Sequence, residues 1–172
     1  MHCFQALTKV IAKGFTLVEL LVTLSILAMM LVAGIPGMTA LLSSMDVRST
    51  SDKLVDTIAY ARVQAVSQVS SVRVCASTCD LSTTWSDGWQ VFVDSDNDGN
   101  FAANELLRVE ENSANNTTIT SAQSAIDFDF QGQNVGAQLQ ITVDKGGEHG
   151  RVITVGSAGF VSVSNQTAPS ED

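Results

Sequence analysis

The hydrophobic pattern begins with a long apolar run near the N-terminus. Residues 17–35 are almost all apolar and carry one carboxylate, Glu19. The segment 15–35 holds 21 residues, close to the ~20 that an α-helix needs to cross a membrane. Because Lys9 and Lys13 precede it, the positive-inside rule places the N-terminus in the cytoplasm and the body outside. The pattern predicts a single-pass protein, and a secretory signal peptide cut within "LVAGIPGMTA" is the alternative.

A second helical pattern follows Pro36, which should kink the helix near Ile35 because proline removes a backbone donor. Apolar residues then recur at helical spacing to about residue 70, and charged residues fall largely on other faces. The apolar positions are Met38, Leu41, Leu42, Met45, Leu54, Ile58, Ala61, Ala65 and Val69. We expect this amphipathic helix, over 37–71, to pack on the external domain.

Beyond Ser71 the apolar period changes from helical to two, which indicates strands separated by Gly, Asn, Asp and Ser turns. The predicted strands are 72–76, 88–94, 106–111, 125–132, 138–143, 150–155 and 159–164. The turn "VGSAGF" should join the last two as a hairpin, and Trp89 and Phe92 are interpreted as core aromatics. The predicted fold class is α+β: a long N-terminal helix packed on an antiparallel β-sheet domain over 72–164, followed by a polar tail, 165–172.

The net charge of the chain limits the classes of molecule that it is suited to bind. The chain has 9 Lys and Arg against 18 Asp and Glu, a net charge of −9. Without residues 1–14, seven bases remain against the 18 acids, a net charge of −11. Such an acidic body repels phosphate backbones, which argues against nucleic acid as a partner.

The cysteines divide into one near the N-terminus, Cys3, and a close pair, Cys75 and Cys79. If the body is exported without the N-terminal residues, the pair can form a disulfide that closes a small loop. Two unrelated buried thiols are the alternative. A zinc site is disfavoured because the histidines, His2 and His149, are distant in sequence.

The segment "KGFTLVELLVTLSIL", residues 13–27, resembles the signal of type IV pilins and type II secretion pseudopilins. The resemblance implies that prepilin peptidase cuts between Gly14 and Phe15 and that Phe15 is then N-methylated. It implies a leader over 1–14 and a transmembrane helix over 15–36. The protein would lie in the inner membrane, with its C-terminal domain in the periplasm, and would assemble with other major and minor pilins or pseudopilins.

Glu19 acquires a physical interpretation from this resemblance. A carboxylate in lipid is tolerated when it pairs with a cation, and the new amine of Phe15 lies four residues away. The resemblance favours pairing with the Phe15 amine of a neighbouring subunit, which would make Glu19 an assembly residue. An acid that reaches the membrane interface is the alternative.

Two further stretches, "DGWQVFVDSDNDGNFAANELLRVEE" (87–111) and "GRVITVGSAGFVSV" (150–163), resemble the GspH/FimT family of minor pilins and pseudopilins. The resemblance implies a structural subunit of a tip or assembly-initiating complex, without distinguishing a type IV pilus from a type II secretion pseudopilus. Some FimT-like proteins are associated with DNA uptake through a Gly-Arg-x-Arg motif. Here Gly150 and Arg151 match, but Ile153 replaces the second base.

The acidic loop after the second strand matches the spacing of a calcium-binding loop. Asp94, Asp96, Asp98, Asn100 and Glu105 are the candidate ligands. Strands flank the loop where a calcium-binding EF-hand has helices, so a hairpin loop in which Asp and Asn side chains bond backbone amides explains the same residues. A membrane-anchored calcium-binding domain unrelated to fibres is therefore a third functional alternative. Catalytic groups do not converge anywhere in the sequence, and we predict no enzymatic activity.

Overall fold

The structure is a computed structural model. It describes residues 14–77, 79, 84–96, 98, 102–112, 117–146 and 150–166, without the side chains of 32–37. The chain divides into two compact units, Met1–Ala40 and Leu41–Asp172. Predictions for Lys13, Asn100 and His149, for most of the leader and for the end of the tail lie outside the described residues.

One helix, α1, runs from Leu17 to Gln68. The helical assignment continues through Pro36, and the predicted kink there stays a prediction. At its other end Val69 adopts a left-handed φ of 53° and Ser70 N donates to Ala65 O at 3.3 Å. This is the closing hydrogen bond of a Schellman motif, and glycine usually occupies the position that Val69 holds.

The predicted apolar stripe of α1 is confirmed in its second half. The helix contributes Val47, Leu54, Ile58, Ala61 and Ala65 to the hydrophobic core. The prediction is wrong for the first half, because the core begins at Val47; Met38, Leu41, Leu42 and Met45 are exposed. It is also wrong for Val69, which follows the end of the helix and is exposed.

Eight described strands form two antiparallel sheets. The strands are β1 Val72–Ala76, β2 Trp89–Val93, β3 Leu106–Glu110, β4 Thr118–Ser121, β5 Ala125–Phe128, β6 Leu139–Asp144, β7 Arg151–Val155 and β8 Val161–Asn165. The first sheet has the order β3-β2-β1-β5 and the second β4-β6-β7-β8. Short 3-10 helices, Trp85–Asp87 and Ala103–Glu105, precede β2 and β3.

Sequence periodicity located seven of these strands to within one or two residues at most ends. It missed β4, a four-residue strand with one buried apolar side chain, Ile119. The predicted strand 125–132 is too long, because the Asp129 carboxylate accepts hydrogen bonds from Gln131 N and Gln133 N and closes a turn. Phe130 lies in that turn and is exposed. The predicted β7–β8 hairpin is confirmed, with Val155 opposite Val161.

The hydrophobic core lies between α1 and residues of both sheets. Trp89 is buried as predicted, and its indole Nε1 donates to Thr57 Oγ1 of α1 at 3.0 Å. Phe92 is also buried, but it lies three residues after Trp89 in β2, and its side chain is therefore on the opposite face of that strand. The prediction that both aromatics are buried is confirmed, with Trp89 in the main core cluster and Phe92 outside that cluster.

Ion pairs tie α1 to the second sheet and strengthen the first. Lys145 Nζ lies 2.6 Å from Asp46, and Arg151 Nη1 lies 2.9 Å from Asp52. In the first sheet Arg73 forms two hydrogen bonds with Asp127 across the β1–β5 pair, at 2.6 and 2.8 Å. Hydrogen bonding to Asp127 raises the pKa of Arg73, so the arginine is firmly cationic.

Candidate processing, assembly and cation sites

The predicted cleavage point lies just before the first turn of α1. Gly14, Phe15 and Thr16 are not helical, and α1 begins at Leu17. Apart from its chain neighbours, no heavy atom of residues 16 onward that the structure describes lies within 4 Å of the position that a Cβ on Gly14 would occupy, and Phe15 is 76% exposed. The described part of the chain therefore leaves the Gly14–Phe15 bond exposed.

Thr16 caps the helix that follows this bond. Its Oγ1 accepts a hydrogen bond from Glu19 N at 3.2 Å, and its carbonyl accepts from Leu20 N at 3.2 Å. A threonine at the N-cap with glutamate three residues later is the arrangement of a capping box. The T-x-x-E spacing of Thr16 and Glu19 is the sequence signal for this cap, and it overlaps the processing motif.

Glu19 is the acidic residue in the first turn of α1, and it is exposed. Its carboxylate lies near the helix N-terminus, where unpaired backbone N–H groups favour negative charge. The position is thus suitable for an acid even before any contact with another subunit. Pairing with an amine at Phe15 stays a prediction.

The first part of α1 presents apolar side chains to the surface on every side. The large apolar residues among 15–31 are all exposed. Two hydroxyls in this stretch are satisfied within the helix, since Thr23 donates to Leu20 O at 2.8 Å and Ser25 to Leu21 O at 2.7 Å. Within the residues whose side chains are described, no helical stretch is both long and apolar enough to cross a membrane.

Cys75 and Cys79 are joined as a disulfide, with their Cα atoms 5.2 Å apart. Cys75 is the fourth residue of β1, and Cys79 N donates to Ala76 O at 3.1 Å, which closes a tight turn. Ser77 and Cys79 have left-handed φ values of 47° and 60°. The bridge therefore fixes a turn whose backbone is unfavourable for residues other than glycine.

The acidic loop brings three of its predicted ligands together. One carboxylate oxygen from each of Asp94, Asp96 and Asp98 lies within 4.8 Å of the others. Two of these carboxylates already accept hydrogen bonds from Asp98 N, at 3.1 Å for Asp94 and 3.2 Å for Asp96. This is the turn arrangement that explains the loop without a metal.

Glu105, the last of the five candidate ligands along the chain, accepts hydrogen bonds from the loop itself. Its Oε1 accepts hydrogen bonds from Ser95 N and Ser95 Oγ, both at 2.7 Å, and its Oε2 accepts one from Ala102 N at 3.0 Å. Hydrogen bonding from Ala102 and then from Ser95 lowers the pKa of Glu105 below its ordinary value. Glu105 is thus a carboxylate clamp that joins the two ends of the loop.

This arrangement of the loop is suited to calcium binding only in part. The three aspartates supply clustered oxygen ligands of the type that Ca²⁺ prefers, whereas Glu105 is engaged with the loop backbone and Asn100 lies outside the described residues. Calcium binding therefore stays a prediction. Calorimetric titration of the purified protein tests it, and absence of heat at millimolar Ca²⁺ would contradict it.

The residues that match part of a DNA-binding motif do not form a basic surface. Arg151 is paired with Asp52. Ile153, which occupies the position of the motif's second base, is fully buried in the core. The geometry gives no support to DNA binding at this strand.

Comparison with known families gives two matches. The type II transport protein GspH family matches residues 50–159, and the prokaryotic N-terminal methylation motif matches residues 11–35. A search of curated proteins gives no match.

Among solved structures, the fold is similar to that of the type IV minor pilin FimU from Pseudomonas aeruginosa (strain PAO1). One crystal structure of FimU has a TM-score of 0.60 at 22% identity and covers 71% of this chain and 93% of FimU. A second has a TM-score of 0.58 at 22% identity and covers 70% of this chain and 98% of FimU. Since the GspH match spans more than half of the chain, this protein belongs to the GspH family and has the fold of a minor pilin.

Proposed function

We propose that the chain is a minor subunit of a type IV pilus or a type II secretion pseudopilus. Prepilin peptidase cuts it between Gly14 and Phe15, the segment 15–36 anchors it in the inner membrane, and the domain after this segment is periplasmic. Its role is structural: it joins other pilins or pseudopilins in the complex that starts or tips the fibre.

The observation that carries this proposal is the geometry around the processing motif. The bond between Gly14 and Phe15 is exposed and non-helical, and the helix begins only at Leu17. The Thr16 cap lies entirely after the cleavage point, since Thr16 Oγ1 accepts its hydrogen bond from Glu19 N, and cleavage between Gly14 and Phe15 keeps both groups. The chain therefore offers an exposed bond just before a helix whose N-terminal cap is retained after cleavage.

Glu19 provides the proposed assembly contact. After cleavage the Phe15 amine adds a full positive charge at a helix end that already favours an acid. A neighbouring subunit brings a second such amine, and a carboxylate and an ammonium group in a low-dielectric surrounding attract each other far more strongly than they do in water. Loss of the Glu19 charge should therefore impair assembly more than processing.

Membrane insertion is supported by the surface of the first part of α1. The large apolar side chains from Phe15 to Leu31 are exposed, and a helix that is apolar on all sides is stable when apolar surroundings cover it. The Thr23 and Ser25 hydroxyls are satisfied by helix carbonyls, so they add little cost in lipid.

Two variants separate processing from assembly. The full-length protein is expressed in cells that contain a prepilin peptidase and the other fibre subunits, and its intact mass and N-terminal sequence are measured. We expect the wild type to start at N-methylated Phe15, Gly14→Leu to keep its leader, and Glu19→Gln to be processed normally. In fibres sheared from the cells, we expect the wild type to be present and Glu19→Gln to be depleted.

Several outcomes would overturn the proposal. A wild-type protein that keeps Met1, or one cut near Ala40, would show that the N-terminal segment is not a prepilin signal. Normal incorporation of Glu19→Gln would remove Glu19 from the assembly mechanism.

A separate experiment identifies the fibre that the chain serves. The gene for the chain is deleted, and pilus number and protein secretion are measured: loss of pili alone indicates the type IV pilus, and loss of secretion alone indicates the pseudopilus.

A further inference from the structure

An exposed apolar patch surrounds Arg62 in the second compact unit. We define the Arg62 patch as Val66 and Phe160, which lie beside the Arg62 side chain, together with Phe130 of the turn whose Gly132 carbonyl accepts a hydrogen bond from Arg62. Phe160 is 68% exposed, Phe130 54% and Val66 50%. These residues come from α1, from the turn after β5 and from the β7–β8 hairpin, so the patch exists only in the folded protein.

The patch has a rigid base. Arg62 Nε donates to Gly132 O at 2.9 Å and Nη2 donates to Ala158 O at 3.3 Å, which ties both turns to α1. Gly132 and Gly159 have left-handed φ values of 75° and 74°, and a Cβ on Gly159 would collide with Gly132 O. A Cβ on Gly132 would lie 2.9 Å from Val66 Cγ2. The three segments therefore meet too closely for side chains, which places Val66 and Phe160 at one junction.

Arg62 differs from most other bases in this unit. Seven Lys and Arg follow Gly14, and five of them form ion pairs with Asp or Glu. Within the described residues, Arg62 contacts two carbonyl oxygens and the Phe160 ring, whose centroid lies 4.5 Å from Cζ. Two of its five N–H groups are used in these bonds. The Arg62 patch thus presents a cation together with apolar surface on a strongly acidic protein.

We propose that the Arg62 patch binds a neighbouring pilin-class subunit of the same fibre through an apolar side chain that stands beside a carboxylate. This inference rests on the proposed function. The carboxylate completes the hydrogen bonding of the guanidinium, and the apolar side chain covers Phe160 and Val66. Arginines and aromatic residues that become buried at the centre of an interface carry most of the binding energy in many protein complexes.

The size of the patch indicates what kind of partner it fits. Its exposed apolar area is on the order of 300 Å², whereas a stable stand-alone complex buries about 800 Å² on each partner. A second free copy of this chain would therefore not be held by the patch, and its own acidic charge adds repulsion elsewhere. A subunit already kept alongside by other fibre contacts needs only a local anchor of this size.

Photo-crosslinking of the full chain in cells that assemble the fibre tests the inference. A photo-reactive phenylalanine analogue is placed at position 160 or 66 in the patch, at position 24 in α1 as a reporter of assembly, and at position 109 as a matched exposed control. Val109 is 51% exposed and lies on β3 of the other sheet. We expect position 160 to give an adduct with one fibre subunit, at a peptide containing Asp or Glu, and position 109 to give none. Phe160→Ser should reduce the adduct formed from position 66 about tenfold, whereas Val109→Ser should leave it unchanged.

The outcomes separate this inference from the proposed function. Adducts from position 24 without adducts from positions 160 and 66 would overturn the Arg62 patch and leave the proposed function intact. Absence of adducts from position 24 as well would overturn both. An adduct only with a second copy of this chain, or with a protein that is not a pilin, would overturn the assigned partner.

Discussion

The hydrogen bond between Trp89 and Thr57 joins the first sheet to α1, and its removal should destabilise the protein. Both residues are buried, and the indole Nε1 donates to Thr57 Oγ1 at 3.0 Å. Thr57→Val keeps the branched shape but removes the acceptor. The buried Trp89 Nε1–H then loses its hydrogen bond to Thr57, which lowers the free energy of unfolding by about 1–3 kcal/mol.

The matched control is Ser51→Ala. Ser51 is also buried in α1, but its hydroxyl donates only to Val47 O of the same helix, at 2.7 Å. Because that carbonyl already belongs to the helix ladder, removal of the Ser51 hydroxyl leaves no donor unpaired, and we expect a change within about 0.5 kcal/mol. The control separates the effect of losing a buried hydroxyl from the effect of orphaning the indole.

Thermal unfolding of the full-length protein in detergent, followed by near-ultraviolet circular dichroism, measures the difference. For a unit the size of Leu41–Asp172, the expected loss lowers the Tm of Thr57→Val by about 4–10 °C. The double variant with Trp89→Phe should show a coupling of about 1 kcal/mol or more. If Thr57→Val is no less stable than Ser51→Ala and the coupling is zero, the hydrogen bond does not hold α1 to the sheet.

Three further predictions concern the loop clamp, a glycine junction and the disulfide. The ordinary pKa of Glu105 is 4.5, and folding lowers it. The ionised carboxylate therefore stabilises the fold above about pH 4.5, and this stabilisation is lost as the pH falls through the lower folded-state pKa. Glu105→Gln should flatten this acidic part of a profile of Tm against pH. Gly159→Ala should cost at least about 1 kcal/mol more in urea unfolding than Gly146→Ala, because both need a left-handed φ but a Cβ on Gly159 would collide with Gly132 O, whereas one on Gly146 meets no atom of the described residues within 4 Å. Replacing Cys75 and Cys79 by serine should cost about 2 kcal/mol, and dithiothreitol should lower the Tm of the wild type but not that of the variant.

The spacing of apolar residues predicts a helix or strand correctly where one face of that element is buried and the other is exposed. The segment from Leu54 to Ala65 and most of the strands have that pattern, and the structure places them as predicted. Met38 and Met45 continue the helical period but are exposed, since a sequence period identifies an apolar face without saying where the sheets begin to cover it. The strand β4 was missed because "TITS" carries a single buried apolar residue and gives too short an alternation to detect.

The acidic loop shows why residue spacing alone leaves its chemistry open. A calcium site and a clamped hairpin both need oxygen atoms at close intervals, so Asp94, Asp98 and Glu105 satisfy either pattern in the sequence. In the structure the two roles are separate within one loop: the aspartates cluster, whereas the two oxygens of Glu105 accept hydrogen bonds from Ser95 and Ala102. Glu105 would have to give up those bonds to become a bidentate ligand, while cation binding by the aspartates leaves the clamp in place. The acid sensitivity of the fold and any calcium affinity should therefore respond to different substitutions, the first to Glu105→Gln and the second to Asp96→Asn.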